Sequence, residues 1–254
     1  YHGVFSGANL ASFVESTEYA EFPGLGNPYR KNFLSEVGVA VIDKLLSGSG
    51  NPQAIASALG NAAGGGHLEL WSRRSAEQRE ITGTPLAGAL PVTPGPFASV
   101  TVDNASASKL DYYLDRKLVY QAGGCSSSQR SSTISVSLTN EAPLHGLPVY
   151  VRVRTLPDGQ AVVEKVPNDR LFVLVHATAG ASLLGATLDG KTVAVGSGLE
   201  QGHPVYLIEL WLKPGVPRTF VVHLSEPTVT GAATTKVQPL ARDQQTSFEV
   251  PACS

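Results

Sequence analysis

Methionine is absent from these 254 residues, cysteine occurs twice, and charged side chains make up only 16% of the chain. Each shortage excludes something. With 19 basic and 21 acidic residues, a formal charge of −2 and no basic cluster, the chain lacks the positive patch that nucleic acid requires, and no nucleic-acid partner is expected. No apolar run approaches the roughly 18 residues of a spanning helix, so no membrane span is expected. No signal-peptide pattern opens the sequence. Tyr1 is no initiator, and with methionine missing the chain reads as a processed or excised piece of a longer precursor. The histidines, His2, His67, His145, His176, His203 and His223, show no H-x-H or H-E-x-x-H spacing, so neither a metal nor a cofactor is expected.

What is present suits a globular protein. Hydrophobic residues at 42% suffice for a core, in one large or two modest domains. The low charge, with abundant Gly, Ser, Thr, Ala and Val, is common in exported envelope proteins. In an exported chain, Cys125 and Cys253 read as a disulfide tying the C-terminal tail back to mid-chain. Closing a loop of more than about 100 residues stabilises on the order of 4–5 kcal/mol in the loop-entropy model. A zinc site without His neighbours and a redox pair without C-x-x-C are the poorer alternatives.

The stretch from Ala98 to Cys125 is where helical patterning gives way to strand patterning. Before it, Ser6 caps a helix carrying Leu10, Phe13, Val14 and Thr17, stopped by Phe22-Pro23-Gly24. Asn27-Pro28 opens a longer helix running to Gly48, and Asn51-Pro52 opens another that dissolves into Gly64-Gly65-Gly66. His67 to Trp71 alternates as a strand, and Ser75-Ala76-Glu77-Gln78 has capping-box form for a short helix reaching Ile81. Leu86 to Pro96 is a connection. Ala98 to Val102 and Leu114 to Tyr120 read as strands joined by a polar loop. Further strands are expected at Thr133–Thr139, Pro148–Thr155, Leu171–His176, Ser182–Leu188, Pro204–Leu212, Arg218–Leu224 and Thr235–Leu240, separated by turns such as Pro157-Asp158-Gly159, Asp189-Gly190 and Pro214-Gly215. The expected fold is α+β: a mostly helical region with a few strands (1–97), hinge strands (98–125), then an antiparallel immunoglobulin-like β-sandwich (126–254).

Chemically capable side chains are densest in the hinge. The two-strand reading gathers Asn104, Ser106, Ser108, Lys109 and Asp111 at one end of a sheet, flanked by Tyr112 and Tyr113. Ser106-Ala107-Ser108-Lys109 matches S-x-x-K, but that motif needs a helix to join Ser and Lys, and the surroundings favour a loop. Pairing of Lys109 with Asp111 or a nearby carboxylate is the simpler reading. The triple glycine follows a helix and precedes a strand, the reverse of a phosphate loop. Glu15, Glu18 and Glu21 read as a solvated helix face.

Taken in order, GANLASFVESTEYAEF, RKNFLSEVGVAVIDKLL, GHLELWSRRSAEQ, PLAGALP, VDNASASKLDYYLDRKLVY with Cys125, and LTNEAP followed by GLPVYVRV resemble an uncharacterised family of envelope proteins. That family is known only as a domain of unknown function, mainly in high-GC Gram-positive bacteria. The resemblance covers most of the chain. It implies that a membrane-anchoring helix and a further extracytoplasmic portion precede this stretch, and that Trp71, Lys109, Asp111, Tyr112, Tyr113, Cys125 and Cys253 occupy family motif positions. It brings no assigned chemistry.

The expectation is therefore a non-enzymatic extracytoplasmic module for attachment or assembly in the cell envelope. Its partner would be a protein: the N-terminal remainder of the precursor, another copy, or an envelope complex. One rival is an enzyme on cell-wall glycan or its lipid-linked precursors, with Lys109 holding an anionic group and Tyr112 or Tyr113 stacking on a sugar. Candidate binding residues are Asn104, Lys109, Asp111, Tyr112, Tyr113 and Trp71. A second rival is a subunit of a surface filament or larger complex.

Overall fold

Helical spacing governs the first part of the chain and strict alternation the rest, and the two parts fold differently. The computed structural model describes residues 4–23, 28–48, 50–91, 95–156 and 158–253. Asn27, the expected cap of the long helix, lies outside the described residues, as do His2, Gly24 and Pro157. The chain divides into two compact units, Tyr1–Ala89 with Gly146–Arg152, and Leu90–His145 with Val153–Ser254.

The first unit is helical. Its helix α1 (Leu10–Ser12) runs through a π-helical turn, Phe13–Thr17, into α2 (Glu18–Glu21). Asn9, rather than Ser6, is the N-cap residue. The π turn is wider than an α turn and so changes the phase of the helix. That corrects the expectation for Glu18, which faces inward, 1% exposed, and pairs with Arg30 at 2.8 Å. Arg30 in turn lies 4.2 Å over the Tyr150 ring, which stacks on Tyr19 at 5.4 Å. Burial, and then Glu18, push the Tyr19 hydroxyl up to about 12.

Helix α3 spans Pro28–Leu46 and α4 spans Pro52–Gly64. The expected Asn51 cap is formed: its side chain accepts the Gln53 and Ala54 amides at 2.9 and 3.2 Å. Helix α5 covers Ser75–Ile81, but Ser75 does not cap it. Arg74 is the N-cap residue; Ser72, two residues before it, accepts the Arg74 amide, while Gln78 reaches back to the Ser72 amide. The strand expected from His67 to Trp71 is also absent. Among the described residues this unit contains no strand: the His67 amide turns back to the Ala62 carbonyl of α4 and the Leu70 amide reaches the Leu86 carbonyl, which is not the regular series of a ladder.

The second unit consists mainly of antiparallel sheet, so the chain is α+β. One sheet has the order β1-β6-β10-β9, built from β1 (Ala98–Asn104), β6 (Asp169–Ala177), β10 (His203–Leu212) and β9 (Gly196–Glu200). The other has the order β12-β2-β3-β11-β7-β8, built from β12 (Gln244–Glu249), β2 (Leu114–Ala122), β3 (Gln129–Asn140), β11 (Arg218–Pro227), β7 (Ser182–Leu188) and β8 (Lys191–Thr192). A short pair, β4 (Val153–Thr155) with β5 (Ala161–Val163), stands apart. The inward rows of both large sheets, among them Val100, Leu118, Val136, Val173, Leu210 and Val222, form one hydrophobic cluster. Asp189-Gly190, both at positive φ, make the tight turn between β7 and β8 that the sequence announced.

Of two further expected strands, one is formed only at its end and the other not at all. Pro148–Thr155 yields a 3-10 turn, Val149–Arg152, before the three residues of β4. Thr235–Leu240 runs as an extended strap along the free edge of β1. There the Gln238 side chain accepts the Val102 amide at 2.9 Å and donates to the Val102 carbonyl at 3.0 Å, so one amide side chain replaces a strand. The strand of this region is instead β12, parallel to β2. The disulfide Cys125–Cys253 is formed, with Cα atoms 5.6 Å apart, and no cysteine is free.

Candidate functional site

Asn104 ends β1 opposite Leu171 of β6, and the Ala105 amide still reaches the Arg170 carbonyl at 2.8 Å. The turn that follows is thereby laid against Asp169, the first residue of β6. Asn104 organises this turn. Its side-chain Oδ1 accepts the Ser106 amide and hydroxyl at 2.9 and 3.2 Å, and its Nδ2 donates to the Ser108 carbonyl at 3.0 Å and to Asp111 Oδ2 at 2.6 Å. Ala107 at the tip has φ +60°, a conformation costing an L-residue roughly 1–2 kcal/mol. No helix joins Ser106 to Lys109, so the S-x-x-K geometry does not arise. Leu110–Tyr113 then forms a 3-10 turn into β2.

The structure thus brings together Asn104, Ser106, Ser108 and Asp111. Asn104, rather than Lys109, is the direct partner of the Asp111 carboxylate, and Lys109 acts on it as a nearby charge. Burial raises the Asp111 carboxyl, with Asn104 and Lys109 opposing. Tyr112 and Tyr113 are half-buried and meet edge to face at 5.1 Å. Trp71 belongs to the other unit, on an extended segment, 74% exposed.

Asp169 is the member that sequence reasoning missed. It has no exposed surface, and burial, reinforced by Asp111, pushes its carboxyl up to about 8. The signal was alternation: Asp169 shares the inward row of Leu171, Val173 and Val175. The same rule finds four more buried polar residues of this unit, because Arg116, Arg130, Asn140 and Glu226 all continue the inward rows of their strands.

Those residues hold the architecture. Glu226 accepts Arg130 Nε at 2.8 Å and the Tyr120 hydroxyl at 2.6 Å, while Arg130 also reaches the Pro251 carbonyl at 3.1 Å. Arg116 donates to the Gln238 and Arg242 carbonyls at 3.0 and 3.2 Å, fixing the strap. Asn140 binds the Pro167 and Leu212 carbonyls at 2.7 and 3.2 Å. Among the described residues, no three or more His, Cys, Asp and Glu side chains converge as a metal-ligand group, and no helix is long and apolar enough to cross a membrane.

No family model matches the chain, and no curated protein does. Among solved structures, a putative nutrient binding protein from Legionella pneumophila is similar over 52% of this chain and 43% of its own, at 9% identity and TM-score 0.29. An M1 zinc metallopeptidase from Deinococcus radiodurans is similar over 45% of this chain and 20% of its own, at 11% identity and TM-score 0.24. The chain spans less than half of either protein, and likeness this slight carries no functional argument.

Proposed function

We propose that this chain is a non-enzymatic extracytoplasmic module of the cell envelope that works by attachment or assembly with a protein partner. The carrying observation is helix α3. Arg30 is its one buried residue among those described, while Tyr29, Val39, Val41, Ile42, Leu45 and Leu46 are exposed, Ile42 by 53% and Leu46 by 77%. A helix apolar on several faces and left in water marks an interaction surface. Beside it lies a groove of about 630 Å³ among α1, α3 and α4, walled by Phe5, Leu10, Val37, Val41, Leu45 and Ile55.

Two further points support the reading. The disulfide suits an oxidising compartment. In the Asn104–Tyr113 turn, Asn104 and Asp111 bind each other and the tyrosines pack together, where a glycan enzyme would present convergent polar groups in an open cleft. The immunoglobulin-like reading of the second unit belongs with this proposal. It is supported by two mainly antiparallel sheets sharing one core, not by strand order.

The test is a photo-crosslinking residue at position 42 or 46 in the protein in its native envelope, with the adduct identified by mass. The expected result is one stoichiometric adduct: a preceding portion of a longer chain, a second copy, or one envelope protein. Leu46→Glu should abolish it. Diffuse labelling at both positions, together with a purified chain that remains monomeric, would overturn the proposal.

A further inference from the structure

We propose that Asp111 and Asp169, at the joined ends of β1 and β6, hold a calcium ion. Asp169 is fully buried, and neither of its carboxylate oxygens is in a well-formed hydrogen bond; the same is true of Asp111 Oδ1. The Ser108 hydroxyl and the Arg170 amide lie only near enough to temper the cost of burying Asp169. Asn104, which donates to Asp111 Oδ2 at 2.6 Å, lies opposite Leu171, two residues along β6 from Asp169, so both carboxyls lie at this turn and repel each other, with Ser108, itself 3% exposed, on the same turn.

Proteins do not bury carboxylates bare; each is paired, protonated or bound to a metal. Lys109 acts on Asp111, but among the described residues the other charge acting on Asp169 is anionic. A divalent cation would neutralise the pair at once. The donors are all oxygen, which suits a hard ion over zinc with its preference for His and Cys. Calcium tolerates irregular coordination and completes its shell with main-chain carbonyls and water, so two carboxylates and a hydroxyl are a sufficient side-chain set, where magnesium demands a near-ideal octahedron. The ion would lock the β1–β2 connection to the start of β6, a structural role independent of the assembly proposal. Sequence spacing conceals the site, because one carboxylate lies in the 3-10 turn before β2 and the other begins β6, 58 positions on, and no histidine marks it.

The experiment is calorimetric titration and thermal unfolding of the chelator-treated full chain with calcium chloride at pH 7.5, with magnesium chloride in parallel. Saturable calcium binding is expected, with Kd somewhere in the roughly micromolar-to-millimolar range of sensor and extracellular sites, and a rise of several degrees in Tm at saturation. Asp169→Asn and Asp111→Asn should each weaken binding at least about tenfold, yet unfold no earlier than the native chain when calcium is absent, since each replaces a carboxyl that burial disfavours with a neutral amide. Absence of saturable binding to the native chain overturns the proposal, as does binding that survives both substitutions. If a variant fails to fold, the native titration decides alone.

Discussion

A carboxylate on the inward row of a strand must find its partners inside the protein, and Glu226 does so with Arg130, Tyr120 and Thr178. Removing one member of a buried pair leaves the other charged and unsolvated. Glu226→Leu should therefore destabilise by about 3–5 kcal/mol, whereas the double change with Arg130→Met should recover most of the loss. Urea unfolding of the two single variants and the double variant measures this as a coupling energy. Additive losses would mean that the pair contributes nothing jointly. At this scale the sequence was legible in part. Asn104, Ser106, Ser108 and Asp111 could be grouped because they lie within eight successive positions. Asp169, Arg130 and Glu226 are distant in sequence from what they touch, and only their inward phase among apolar neighbours betrays them. Glu18 was misread because a π turn changes helical phase, which no local spacing rule anticipates.

Elements were recognised where local chemistry dictates them and missed where a tertiary contact does. The Asn51-Pro52 start, the strands over 182–188 and 203–212, and the Asp189-Gly190 turn follow from caps, alternation and φ preferences. β12 is polar and exposed along nearly its whole length, so its strand character comes from pairing with β2 and not from its own residues. The strap over 235–240 has the opposite history: its apolar residues suggest a strand, yet it meets β1 through the Gln238 side chain and the Lys236 carbonyl, which accepts the Ser99 hydroxyl, and not through a backbone ladder. This makes a sharp prediction. Gln238→Ala leaves both backbone groups of Val102 without partners, so stability should fall by about 1–3 kcal/mol. Hydrogen exchange of the Val102 amide should accelerate well beyond that of Thr101, whose backbone groups face β6 within the β1–β6 ladder. Equal acceleration of the two amides would mean that the strap acts globally and not through Gln238.

For the second unit as a whole, the decisive constraint is that its last strand is an edge strand held from both ends. Arg116 holds the strap before β12, and Arg130 and the disulfide hold the residues after it, with Cys253 bridging to Thr230 and Gly231. β12 itself pairs on one side only, parallel to β2. An exposed polar strand with a single neighbour has little stability of its own, so its docking should depend on the crosslink. Cys125→Ser with Cys253→Ser removes closure of a loop whose ends are 128 positions apart; the expected cost is about 2–5 kcal/mol. The loss should be ordered in space. Limited proteolysis of the variant should cut first between Thr228 and Glu249, in the strap and β12, while β3, β6, β10 and β11 stay protected by the shared core until global unfolding. Intact mass after brief digestion reads this directly. Uniform fragmentation would show that the crosslink steadies the whole sheet pair, and an unchanged pattern that Arg116 and Arg130 hold the tail without it.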